Sequence, residues 1–164
     1  MAENVAALRA GEVDVIQLFE PYVQALVEEG IGHVWYAAAS RGPTSYTSFN
    51  TTRSFLNREP QTVLRVTRAM CRTLKWIAAH DGRALAESIA SYFPEVPVAR
   101  LAGCCDRYRS VGLWNRTPVL QRSGLEWLRD AMLAAGAIRT RFTYEDCVEM
   151  RFAEQVVRED PPPI

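Results

Sequence analysis

The 164-residue sequence has no net charge, its 19 lysines and arginines balancing 19 acidic residues. A dedicated nucleic-acid binder carries a basic excess for phosphates, and a membrane-surface protein carries a polybasic cluster; neither signature is here. Lysine itself is nearly missing. Lys75 is the only one, a bias ascribed to GC-rich codon usage and given no functional weight. No stretch approaches the roughly 18 consecutive apolar residues that span a bilayer. The start, Met-Ala-Glu-Asn, lacks the basic residues and apolar run of an export signal, so the chain taken as complete is expected in the cytoplasm.

Chemistry-bearing motifs are equally scarce. Cysteines stand at 71, 104, 105 and 147, with no CxxC pair and no histidine close to any of them, so zinc-site spacing is absent. Buried free thiols in helices are the expected reading. No GxSxG, GxGxxG or GxxxxGK[ST] motif occurs. The two histidines, His33 and His80, have no serine or cysteine nucleophile beside them in sequence, and His80 is read as a helix C-terminal residue. No catalytic residue, metal ligand or cofactor is assigned, and an enzyme is not expected.

What is present is ordinary for one globular domain or two small lobes: 48% apolar and 23% charged residues. Residues 4–10 read as a short helix capped by Asn4 and ended by Gly11. Residues 13–19 alternate and are rich in β-formers, predicting a strand. Pro21 opens a helix to about 29, which Gly30 ends, and residues 33–38 predict a second strand. Two strands about a short helix imply a parallel β-α-β unit. Residues 46–52 predict a third strand. Helices are expected at 60–79, with apolar residues at 63, 66, 70, 74 and 77, then at 82–93 behind an Asp81 cap. Others are expected at 98–111, with Leu101, Cys104, Cys105 and Tyr108 on its buried face, and at 121–135. Thr143 and Asp146 resemble a capping box for a last helix to about 158, and Asp160-Pro-Pro-Pro-Ile is a tail that cannot be helical. The composition shifts once, near residue 45, marking a candidate boundary between 1–45 and 46–164.

In an open parallel sheet, ligands bind beyond the carboxyl ends of strands, where helix N-termini present donors. That rule selects Phe19, Glu20 and Tyr22 at the first strand–helix joint. It also selects Thr44, Ser45, Tyr46 and Thr47 at the loop that enters the third strand. Aromatic faces, a carboxylate and hydroxyls together suit a small polar molecule with an apolar body. The competing structural readings are equally concrete: Glu20 as an acid at a helix N-terminus, Tyr22 as packing, and 44–47 as a polar turn.

The order of these residues resembles the later half of type II periplasmic binding proteins, the solute-binding components of ABC importers for nitrate, sulfonate, taurine and thiamine pyrimidines. The resemblance rests on Asn4-Val5-Ala6-Ala7-Leu8-Arg9-Ala10-Gly11-Glu12-Val13-Asp14, on Phe19-Glu20-Pro21-Tyr22, on Tyr46-Thr47-Ser48-Phe49, and on Arg53-Ser54-Phe55 before Pro60. It is clearest over 4–80. It implies an α/β fold, a partial type II periplasmic-binding-protein fold. A short β-α-β portion (1–45, a remnant of the second lobe) would precede a mostly helical C-terminal region (46–164, the return to the first lobe). It further implies a small-molecule ligand, an ABC permease and ATPase as partners of a full-length form, and a periplasmic location. Relative to that family the export signal and most of the first lobe are not in this sequence, so self-association into a homo-oligomer is expected. Two alternatives come from other classes. One is a thiamine-pyrimidine synthesis enzyme of the same fold, which uses a pyridoxal phosphate lysine and a histidine- and cysteine-rich iron site. The other is a helical interaction module without ligand binding.

Overall fold

The long apolar-striped segment that opens with Pro60 is the backbone of one half of the molecule. In the computed structural model, which describes residues 1–164, it forms a single 20-residue helix, Pro60–Ala79. The helices are α1 (Ala2–Arg9), α2 (Tyr22–Glu28), α3 (Arg53–Arg58), α4 (Pro60–Ala79), α5 (Gly82–Ile89), α6 (Val98–Ser110), α7 (Arg122–Ala134), α8 (Tyr144–Cys147) and α9 (Arg151–Glu159). Single 3₁₀ turns occupy Ala38–Arg41 and Ala90–Tyr92. The chain divides into two compact units, Met1–Ser40 with His80–Leu113, and Arg41–Ala79 with Trp114–Ile164.

The first unit is organised by α5 lying along α6, and the buried residues of the pair are Leu85 and Ala86 with Leu101, Cys104 and Cys105. Asp81 caps α5 by accepting from the Ala84 amide at 2.9 Å, and the Gly82 amide donates to Asp106 Oδ1 at 2.9 Å. Gly82 is required there: a Cβ would stand 2.5 Å from the carbonyl oxygen of Ala102, too close for any side chain. Helix α2 packs on α6 as well, its Gln24 amide filling the space that a side chain at Gly103 would need.

The second unit is organised by α4 and α9. Leu64 and Cys71 cluster with Phe152 and Val156, with Leu56 and Val63 packed against them. Pairing of Arg68 with Glu159 and of Lys75 with Asp160 shows that both helices advance in the same direction. Arg68 grips Glu159 through Nε and Nη2 at 3.0 and 2.7 Å. Beyond α9 the proline tail is held back onto α4: Arg72 donates to the carbonyls of Pro162 and Pro163, and Lys75 to that of Pro161. Prolines have no amide to donate but keep their carbonyls, which suits a clamp built from cationic side chains.

Most predicted helices stand within a residue or two of expectation, and the stops at Gly11 and Gly136 have φ of 70° and 69°, conformations that glycine adopts without strain. Of the expected apolar positions on α4, Leu74 is buried and Val63 packs against the α9 cluster, whereas Val66 is exposed; Leu64 and Cys71, outside the expected set, are the α4 residues buried in the cluster with α9. The Thr143–Asp146 capping box forms, yet it caps only the one-turn α8. At Val148 the chain turns extended, φ −120° and ψ 130°, before α9 begins.

The expected α/β architecture is overturned, since the structure has no strand and no sheet. Residues 13–19, 33–38 and 46–52 hold β-forming sequence, but a strand exists only through hydrogen bonds to a neighbour. None of residues 13–18 or 33–36 donates or accepts a backbone–backbone hydrogen bond. The β-α-β portion of a type II periplasmic-binding-protein fold is therefore not formed. Residues 38–41 wind into the 3₁₀ turn instead.

Candidate functional site

Glu20 precedes Pro21, the N-cap of α2, through a cis peptide bond. Its side chain is only 5% exposed. Oε2 accepts from the Gln24 amide at 2.8 Å, an N-terminal helix donor that would otherwise lack a partner. Oε1 accepts from Arg107 Nε of α6 at 2.8 Å, and Arg107 Nη2 also donates to Gln24 Oε1 at 2.6 Å. The Glu20 amide donates to Tyr108 Oη at 3.4 Å. Both carboxylate oxygens are thus engaged, and the group ties the start of α2 to α6. The neighbouring Cys104 thiol is pushed up to about 12, first by burial and then by the Glu20 charge. Burial raises the Cys105 thiol too, so both remain protonated at neutral pH.

Beside this network the first unit carries a surface groove of about 340 Å³ between α1 and α2. Val5 and Leu26, both buried, form its floor with Ala25, and Pro21 and Tyr22 form one wall. Arg9, Glu29 and Arg100 are its charged lining residues. Arg9 pairs with Glu29, and Arg100 donates to Glu28 at 2.8 Å, which holds the Glu28 carboxyl below its ordinary value. An apolar floor under two arginines can receive an apolar body with an anionic end, the anion taking up arginine hydrogen bonds otherwise shared with glutamate.

Of the sequence-selected residues, Phe19, Glu20 and Tyr22 lie in the first unit and Thr44, Ser45, Tyr46 and Thr47 in the second. Phe19 and Tyr22 are exposed, and Tyr22 lines the groove. The Thr44–Ser45 backbone rests on α7: the Ser45 amide donates to Gly124 O at 3.1 Å, and a side chain at Gly124 would come within 3.2 Å of Thr44. Thr44, Tyr46 and Thr47 are exposed. The second unit has its own groove, about 380 Å³, bordered by Leu56, Pro60, Leu64, Arg151, Phe152 and Gln155. The arginine partners, Arg107 to Glu20 and Arg100 to Glu28, escaped the sequence reading. They lie 87 and 72 residues away in the chain, and nothing local marks either arginine. Lys75, the sole lysine, spends its ammonium on Asp160 and the Pro161 carbonyl. No group of three His, Cys, Asp or Glu side chains is arranged to hold a metal ion, and no helix is long and apolar enough to cross a membrane.

Residues 1–91, more than half of the chain, match the model of the NMT1-like family. The chain is also similar to the "Putative binding protein YtlA" of Bacillus subtilis (strain 168), with 25% identity over 158 residues, 95% of this chain and 47% of that protein. It therefore spans about half the length of this curated relative. No solved structure matches.

Proposed function

The chain belongs to the NMT1-like family, and from that premise we propose that it is a solute-binding component of an ABC-type importer, binding a small molecule and catalysing nothing. The observation that carries this reading is the family match over residues 1–91, which contains α1, α2 and most of the groove between them. The relative's printed description as a binding protein supports it. The ligand class is nitrate-, sulfonate- or taurine-like, or a thiamine precursor. Of these, an organic sulfonate best suits apolar Val5, Ala25 and Leu26 below and Arg9 and Arg100 above. Tyr22 contributes an aromatic wall, and Glu20 serves to fix α2 instead of touching ligand. The partners are an ABC permease and ATPase, and the location is periplasmic.

Calorimetric titration with nitrate, taurine, a longer alkanesulfonate and a thiamine pyrimidine tests the proposal. Saturable binding of one of them, lost in Arg9→Ala and kept in Arg151→Ala of the second unit, is the expected result. No binding by any of the four, or binding indifferent to Arg9, would contradict it.

A further inference from the structure

The groove between α1 and α2 holds charge of both signs, and the hydrogen bonds around it leave one group of each sign with spare capacity. Arg9 donates through Nη2 to Glu29 Oε2. Arg100 donates through Nε to Glu28 Oε2, and Glu28 Oε1 accepts from Gln24 Nε2 at 3.0 Å, so both oxygens of Glu28 are engaged. Glu28 is also absent from the groove lining, whereas Glu29 is part of it. What remains is the pair of Nη groups of Arg100, donors only, and Oε1 of Glu29, an acceptor only. The two are close enough to feel each other. Arg100 is held above its ordinary value first by the Glu28 hydrogen bond, and the Glu29 charge adds to it. The side chains of Arg100 and Glu29 are 33% and 35% exposed, so a solute can reach both.

We propose that Glu29 makes this groove selective for a small zwitterion, whose acid pairs with Arg100 and whose ammonium pairs with Glu29. The inference rests on the groove being the solute site proposed above, and it assigns Glu29 as the residue that chooses among solutes there. Charge complementarity carries it. The two arginines and two glutamates at the groove sum to zero, which a zwitterion leaves unchanged. A zwitterion also uses only the spare groups, so neither existing ion pair has to break. A plain anion meets the same arginine donors but brings its charge beside the Glu29 carboxylate, a like-charge contact that works against it. Arg9 has a supporting part, since its bond to Oε2 fixes the carboxylate whose other oxygen meets the ammonium. Buried Val5 and Leu26 receive the short apolar link between the two charged ends.

Calorimetric titration with two matched pairs tests the assignment: homotaurine against propanesulfonate, and γ-aminobutyrate against butyrate. In at least one pair the amino compound should bind about tenfold more tightly than its partner, the worth of one hydrogen bond between charged groups. Which pair responds tells a sulfonate from a carboxylate. This comparison is made in the unaltered chain and needs no variant. Glu29→Gln, with an unchanged thermal melt, should then weaken the amino compound and tighten the plain anion, which no longer faces a carboxylate. A merely structural role for Glu29 would move both in the same direction. Equal binding within both pairs, or a preference untouched by Glu29→Gln, would overturn the assignment. If binding in that case is still lost in Arg9→Ala, the solute site stands and only the role of Glu29 falls. No binding by any of the four compounds would overturn both.

Discussion

The two units are built alike at their centres and differently at their edges. Each centres on a helix pair, α5 with α6 in the first and α4 with α9 in the second. The first unit buries a charge: Glu20 sits inside, between Arg107 and a helix amide, and extended segments beside it leave their backbone groups unpaired. The second buries the Arg129 guanidinium, which donates to Asp130 Oδ1 and to the Phe142 carbonyl, and otherwise keeps its ion pairs nearer the surface and folds its tail onto α4 through Arg72 and Lys75. Helix pairs stabilise either unit by apolar contact; the polar interior of the first positions α2, which walls the groove.

Substitutions can separate these contributions. The largest effect is expected from Phe152→Ala in the α4–α9 cluster, a loss of about 4 kcal/mol of stability from removing a buried aromatic. Gly82→Ala should follow, at about 3 kcal/mol, because its Cβ meets the Ala102 carbonyl and the Asp106 carboxylate. Amide exchange should locate the first loss in the second unit and the second loss in the first. Equal disturbance of both units by either change would break the comparison. Glu20→Ala should cost about 2 kcal/mol, less than for a fully enclosed pair because Arg107 is 28% exposed. By contrast, Arg68→Ala, between side chains 36% and 33% exposed, should cost about 0.5 kcal/mol. Urea denaturation of the four variants gives the ranking directly.

A smaller contrast is expected with pH. Hydrogen bonds hold Asp130, Glu145, Asp146 and Glu159 of the second unit below their ordinary values: from Arg129 to Asp130, Arg122 to Glu145, the Thr143 amide to Asp146, and Arg68 to Glu159. In the first unit Arg100 does the same for Glu28. A carboxylate depressed on folding stabilises the folded state above its unfolded value, and the contribution is lost as pH falls through the folded one. Acidification below the ordinary carboxylate range should therefore loosen the second unit before the first, as read by peptide-resolved exchange. The reverse order would contradict this assignment.

Legibility in the sequence followed the range of the forces involved. Helices were readable because their signals are local: Asp81 and Thr143 cap where expected, and Gly11 and Gly136 end their helices. The strands were misread because β-forming residues state a capacity, whereas pairing needs a neighbour that these 164 residues do not supply. The stripe of α4 was only partly readable for a similar reason, since Leu64 and Cys71 are buried by Phe152 and Val156 of α9, far along the chain. Of the candidate site, Tyr22 was legible from its place at a helix start. Arg9 and Arg100 gained significance only when α1 and α6 met α2.

The claim beneath all of this is that two helix-paired cores carry β-forming segments that remain unpaired in the single chain. Amide hydrogen exchange on a dilute solution, resolved by peptide, addresses it most directly. The account predicts slow exchange in α4, α5, α6 and α9 and rapid exchange in 13–18 and 33–36, whose amides have no backbone acceptor. Protection of 13–18 and 33–36 equal to that of α6 under those conditions would reveal a strand ladder within the monomer and contradict it.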